Sequence, residues 1–298
     1  DVERSRGLGD VYKRQAKRYL RFYWRLYKWE MWARYAWLEW VLPFEVIDLL
    51  FGLATWVYFG KALGSESPFL RPYGGDFLAY LILGMSFNAF LSYSLGGIYD
   101  IVSVLYTGSW SAFGVRMSMA EYISIARIPL SIWIVSRMSW GYFVSFLRLI
   151  VYVGAGVLLF GMRLNPSANY GLGVLALFLG ICSAIGLGMI SASMIWLVGA
   201  WHGNEPIRWF VRLLVSLASG VYFPPEVLPG WIRGVAELLP QTHSLRAARL
   251  AILRGASFGE LGWEFLILVL MALLLLCGGG FLFRYSQELA RRRGALSA

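Results

Sequence analysis

Four charged residues stand inside apolar runs: Glu45, Asp48, Arg148 and Arg212. A charge at mid-bilayer costs about 2.5–3.5 kcal/mol on insertion scales, so each needs a partner or a water-filled path. Glu45 and Asp48 are three residues apart and share a helical face. Asp48 is expected to pair with Arg148, either as an ion pair joining two helices or as part of a substrate path or proton relay. Glu45 and Arg212 are rival partners. Glu264 lies close enough to a helix end to be interfacial. The two histidines, His202 and His243, fall in predicted loops on opposite sides of a membrane and cannot share a metal. Neither has a His/Cys/Asp/Glu cluster at ligand spacing. No Walker lysine motif, GxSxG elbow or dinucleotide fingerprint is present. Cys182 and Cys277 sit in apolar runs as small hydrophobes. These residues predict neither catalysis nor a bound cofactor or metal.

Composition indicates what must surround them. Hydrophobic residues make up 58% of the 298 and charged ones 15%; soluble domains average roughly 45–50% and about 25%. Aromatics reach 17%, and the mean hydropathy is +0.60. A single soluble core cannot hide that much apolar surface, so an all-α membrane protein is expected. The same figures exclude a disordered chain, a collagen-like repeat and a disulfide scaffold. The net charge of +10 comes from basic residues flanking apolar runs, which matches anionic lipid headgroups rather than nucleic acid.

A spanning helix needs about 20 apolar residues. Six candidates meet or approach that length: 37–60, 77–102, 132–160, 170–200, 209–223 and 262–283. The fifth is short. Pro68, Pro72, Gly74 and Gly75, then Asn165 and Pro166, punctuate the loops between spans. An even span count puts both termini on one side, and their basic residues assign that side to the cytoplasm. A multi-pass protein of the plasma membrane follows. Residues 4–15 resemble a linker scar, so 1–15 are expected to be a non-native leader. Over 16–36, Arg18, Arg21, Arg25 and Lys28 continue a basic face from Arg14, while Leu20, Trp24, Tyr27 and Met31 line another. That pattern predicts an amphipathic helix lying in the interface. Residues 37–298 form the six-helix membrane domain. Gly278, Gly279 and Gly280 lie in its last apolar run, where small residues let helices pack closely.

Two connections are too long for tight turns. Residues 103–131 form a cytoplasmic loop. Residues 223–261 carry two short helical patterns, 230–239 and 242–254, punctuated by Pro224, Pro225, Pro229 and Pro240. Neither is long enough to span, so a re-entrant or surface hairpin capping an outer vestibule is expected.

The stretch 219–257 reads SGVYFPPEVLPGWIRGVAELLPQTHSLRAARLAILRGAS. It resembles the ABC-2-type permease family of ATP-binding-cassette exporters. The ordered match comprises Ser219–Gly220, Phe223–Pro224, Leu228–Pro229 with Trp231, Leu239–Pro240, and Arg249. The tail 290–296 is similar to the family's cytoplasmic end. In the cytoplasmic loop only Glu121, the aromatic Tyr122 and the later Pro129 match the family's pattern; Ser118, Met119 and Ala120 stand where it has a different step.

The resemblance implies an exporter's transmembrane subunit with no nucleotide site of its own. ATP and Mg would bind a partner ATPase subunit, and a second copy or a similar permease would complete the membrane part. Residues 118–122 would form the helix coupling to the ATPase, and Phe223, Pro224, Leu228, Pro229, Trp231, Leu239, Pro240 and Arg249 would belong to an extracellular gate. Two readings from other classes stand beside it: an ion-coupled secondary transporter using Glu45, Asp48 and Arg148, and a membrane-embedded transferase acting on lipid-linked substrates. Polysaccharide, lipid, drug and peptide are all open as substrates.

Overall fold

The computed structural model describes residues 2–63, 68–107, 109–112, 115–163, 165–198 and 206–292. His202 and residues 293–296 of the tail lie outside them. The described residues are almost entirely helical: α1 (Val2–Ala33), α2 (Leu42–Leu63), α3 (Phe77–Thr107), α4 (Met119–Ile125), α5 (Leu130–Leu158), α6 (Tyr170–Leu197), α7 (Pro206–Ala218), α8 (Gly230–Ala236), α9 (Pro240–Arg249) and α10 (Phe258–Arg292). A π-turn at Trp37–Val41 leads into α2, and another, Leu250–Arg254, extends α9. A small antiparallel hairpin, β1 (Ser109–Ala112) with β2 (Val115–Ser118), precedes α4.

Five helical segments are long and apolar enough to cross a membrane: Trp37–Lys61, Phe77–Tyr106, Leu130–Leu158, Tyr170–Leu197 and Phe258–Arg292. The fifth sequence candidate, 209–223, does not form a spanning helix. α7 ends at Ala218, because Gly220 adopts a left-handed φ of +81° and Pro224 follows. Proline cannot extend a helix and also restricts the residue before it.

α6 lies at the centre, against α3 on one side and α10 on the other. Its small residues allow that. A side chain at Gly186 would run into the backbone of Leu275, and one at Gly188 into the carbonyls of Ser94 and Leu95. Gly279 of α10 sits directly on Gly186, whereas Gly278 meets nothing. Of the three consecutive glycines, one makes the close helix contact.

α5 packs on α3, with α1 and α2 on α5. α2 and α5 run parallel: Trp37 meets Trp140, Glu45 meets Arg148, and Leu53 clusters with Tyr152 and Ala155. Leu20 and Trp24, on the stripe expected to lie in the membrane interface, are both exposed, and α1 meets the protein through other residues. Tyr23 instead bonds Ser139 at 3.0 Å, Leu26 joins a cluster with Leu105, Ile123 and Trp133, and Glu30 is buried against Arg137. The Leu20 and Trp24 side is thus left for lipid. α1, α4 and the last turns of α10 gather at one end of the bundle; α8 and α9 lie at the other, with α9 packed among α3, α6 and α10.

Candidate functional site

Three polar assemblies interrupt this apolar bundle. The first is centred on Arg249, which is 1% exposed. Its Nε donates to the carbonyl of Tyr80 at 3.1 Å, Nη1 to that of Gly220 at 2.6 Å, and Nη2 to that of Val221 at 2.9 Å. The guanidinium carbon lies 3.5 Å from the centroid of the Tyr80 ring. Tyr80 in turn donates its hydroxyl to the carbonyl of Gly220 at 2.9 Å. The turn after α7 cannot supply partners for its own carbonyls, so a fork of buried N–H donors supplies them. Two motif elements 29 residues apart in sequence thereby become one object. The neighbouring Trp56 stacks on Tyr222, with ring centroids 4.4 Å apart.

Other residues of the 219–257 signature divide by burial. Pro224, Leu239 and Pro240 are buried, Phe223 and Leu228 are half-buried, and Pro229 and Trp231 are exposed. Pro240 occupies the first turn of α9, where its missing N–H costs no helical bond.

The second assembly was missed by sequence reasoning. His243 is not a loop residue but 3% exposed within α9. Its Nδ1 lies 2.6 Å from Glu264 Oε2, and its Nε2 lies 2.9 Å from the carbonyl oxygen of Glu237. A carbonyl only accepts, so Nε2 carries a proton. Arg246 bridges Glu237 at 2.6 Å and Glu264 at 3.1 Å, with Glu226 at 3.9 Å. Glu264, expected at an interface, is a ligand of this network. Burial pushes His243 down, but the bonds from Glu264 and Glu237 outweigh it and hold the imidazole above its usual range. The Arg246 guanidinium holds the Glu237 carboxyl below its usual range. These bonds tie the end of α8 to α9 and α10 and make the network a latch between them. Spacing hid it: a break at Leu239–Pro240 separates Glu237 from His243, and helical periodicity does not carry across a break.

The third assembly contains the intramembrane charges. Arg148 pairs with Glu45, Nη2 to Oε2 at 3.3 Å, and not with Asp48, which is exposed. Helical side chains lean toward the N-terminus. Because α2 and α5 run parallel, Arg148 reaches the lower of the two carboxylates. A cleft of about 330 Å³ opens here, walled by Trp37, Tyr93, Trp133 and Trp140 and reaching from Arg34 and Arg137 to Arg148. A second, of about 350 Å³, holds Arg148, Asn88, Tyr152 and Arg212. Tyr93, Gly97, Asp100 and Arg148 line both. The two share a wall as adjoining parts of one groove; Arg148 lines both, Arg212 only the second, and Asp48 neither.

At the α4 end, Glu121 Oε2 accepts from the backbone N–H of Ser118 at 2.7 Å, and Ser118 Oγ accepts from that of Glu121 at 3.3 Å. Ser118-Met119-Ala120-Glu121 is a capping box, readable from its S-x-x-E spacing. Met119 and Ala120 pack toward Ile123 and Trp133, and Tyr122 is half-buried. An open cleft of about 770 Å³ separates Glu121 and Arg127 from Gln287 and Arg291 of α10. A scan of family models and a search of curated protein sequences find no match to this chain.

Proposed function

We propose that this chain is the transmembrane subunit of an ATP-driven exporter of the ABC-2 permease type. The observation that carries the reading is the Arg249 clasp. The ordered motif on which the resemblance rests is held together at its two ends, Ser219–Gly220 and Arg249, by buried hydrogen bonds. A motif closed in this way behaves as one structural element rather than a chance string of residues.

In this reading α7 and the turn 219–224 complete a sixth crossing that the helix alone is too short to make. Segment 223–261 dips back among α3, α6 and α10 as the extracellular gate. Both termini are cytoplasmic in the plasma membrane, where α1 lies in the interface and α4 is the coupling helix. ATP and Mg bind a separate ATPase subunit, and a second copy of this chain, or a similar permease, completes the pathway.

The test is co-purification. Expressed with a candidate ATP-binding-cassette ATPase subunit, the tagged chain should retain that subunit in detergent. Vesicles holding both should hydrolyse ATP faster than the ATPase alone. Proton- or sodium-driven uptake by vesicles holding the chain alone would support the ion-coupled reading instead.

A further inference from the structure

We infer that the groove between α2, α3 and α5 binds the phosphate group of an anionic amphiphile that reaches it sideways from the bilayer. The inference rests on the membrane placement of the bundle and would survive failure of the export reading. If export holds, the groove is where a phosphate-bearing substrate or regulatory lipid is seated.

The charge balance comes first. The groove is lined by four guanidiniums, Arg34, Arg137, Arg148 and Arg212, against two carboxylates, Glu45 and Asp100. Glu30, buried behind Arg34 and Arg137, is shared by both, and Asp48 is exposed beside Tyr152, so the lining itself holds more guanidiniums than carboxylates. A surplus cation is costly in a low-dielectric surrounding and favours an anion beside it.

Donor geometry comes second. Arg34 stacks on Trp140 with its guanidinium carbon 5.7 Å from the ring centroid, and Arg137 stacks on Trp133 at 5.0 Å. A ring over a guanidinium leaves its edge to hydrogen-bond acceptors; Glu30 takes Arg34 Nε and Arg137 Nη1, and the remaining N–H groups can face a tetrahedral anion. Arg148 reaches Glu45 through Nη2 alone, and its Nε is buried without a hydrogen-bond partner. A buried donor in that condition calls for an acceptor.

Location selects an amphiphile over a free anion. Trp37, Trp133 and Trp140 stand at the α1 end, the level at which tryptophans mark the membrane interface. Beside the groove the outer side of α2 presents Trp40, Phe44 and Phe51, all exposed. Arg137 and Arg148 are three turns apart on α5, roughly 16 Å along the axis. A headgroup can therefore bind at the interface or move deeper while its tail stays outside the protein. A cleft of about 330 Å³ has room for a headgroup but not for two acyl chains.

The experiment uses the purified full chain in a neutral maltoside detergent, with unfolding temperature followed during titration. The probes are dodecyl phosphate, dodecyl trimethylammonium and inorganic phosphate. Dodecyl phosphate should stabilise saturably, and Arg137→Gln should weaken its apparent affinity about tenfold or more. Arg148→Gln with Glu45→Gln, which removes both charges of that pair together, should do the same if the single Arg148→Gln variant does not fold. Arg254→Gln, at the opposite end of the bundle, should change nothing. Equal saturable stabilisation by inorganic phosphate would overturn the amphiphile, and equal stabilisation by the trimethylammonium probe would overturn the anion. No saturable effect, or one indifferent to both arginine variants, would overturn the site. Retention of the ATPase is measured separately, so failure here is distinguishable from failure of the export reading.

Discussion

The guanidinium of Arg249 occupies the space that a side chain on Gly84 would need. A Cβ built on Gly84 would overlap Arg249 Nη2 and the carbonyl oxygen of Val221. The helix α3 is therefore notched at one residue so that an arginine from α9 can reach the turn behind α7. This explains why a full positive charge is tolerated with 1% exposure: three backbone carbonyls and an aromatic face surround it.

Helix propensity and this contact make opposite predictions for Gly84→Ala. Propensity alone stabilises by up to about 1 kcal/mol. Displacing a packed guanidinium destabilises by about 1–3 kcal/mol. We expect a lower unfolding temperature for Gly84→Ala, while Gly154→Ala, which meets nothing within 4 Å, should be neutral or slightly stabilised. Arg249→Leu should be worse than either, because each buried carbonyl left unpaired costs about 1–3 kcal/mol.

Glu45 and Arg148 should behave as a coupled pair and Asp48 should not. Either single leucine substitution strands a charge and should cost about 1–3 kcal/mol, below the fully buried figure because both side chains are partly exposed. The double variant should recover most of that loss. Asp48→Leu should leave stability within about 0.5 kcal/mol of the parent. Thermal unfolding of the full cycle in detergent measures the coupling, and additivity of the two single effects would show that no interaction exists.

Periodicity could not choose between those two carboxylates. Glu45 and Asp48 share a face, and only the parallel course of α2 and α5 decides which one an arginine leaning toward its N-terminus meets. The five long helices were legible because lipid demands an uninterrupted apolar run, a one-dimensional property. Segment 209–223 looked similar by composition, but Gly220 and Pro224 carry the information that stops α7. The His243 latch was illegible for a different reason. Its members come from α8, α9 and α10, and no spacing rule links residues across two helix breaks.

That latch makes stability depend on pH. The folded imidazole of His243 titrates above the ordinary histidine value of 6.5. Its contribution is fully present below that ordinary value and is lost as pH rises through the elevated folded value. The groups facing it are Glu237, Arg246 and Glu264, with Glu226 behind Arg246. Glu237, held low by Arg246, adds an opposite dependence only in acid, below the ordinary carboxyl value of 4.5. Unfolding temperature should therefore fall as pH rises above about 6.5, through the elevated value of the folded imidazole. His243→Gln should flatten that decline; an unchanged slope in the variant would assign it to other groups.

Glu121 has two separable roles, and one pair of substitutions distinguishes them. As the last residue of a capping box it closes the start of α4 by accepting the Ser118 N–H. As the acidic residue of a coupling helix it would also meet a basic surface on an ATPase. Glutamine serves the cap as well as glutamate does, but it removes the charge. Glu121→Gln should keep α4 intact and lower ATPase retention, since losing a charged partner at an interface costs about 2–5 kcal/mol. Glu121→Ala should lose both the charge and about 1 kcal/mol of local helix stability. Protease sensitivity around residues 119–125 reports the cap, and co-purification reports the charge. If glutamine retains the ATPase fully while alanine loses it, Glu121 acts by shaping the helix and the contact with the partner lies elsewhere on α4.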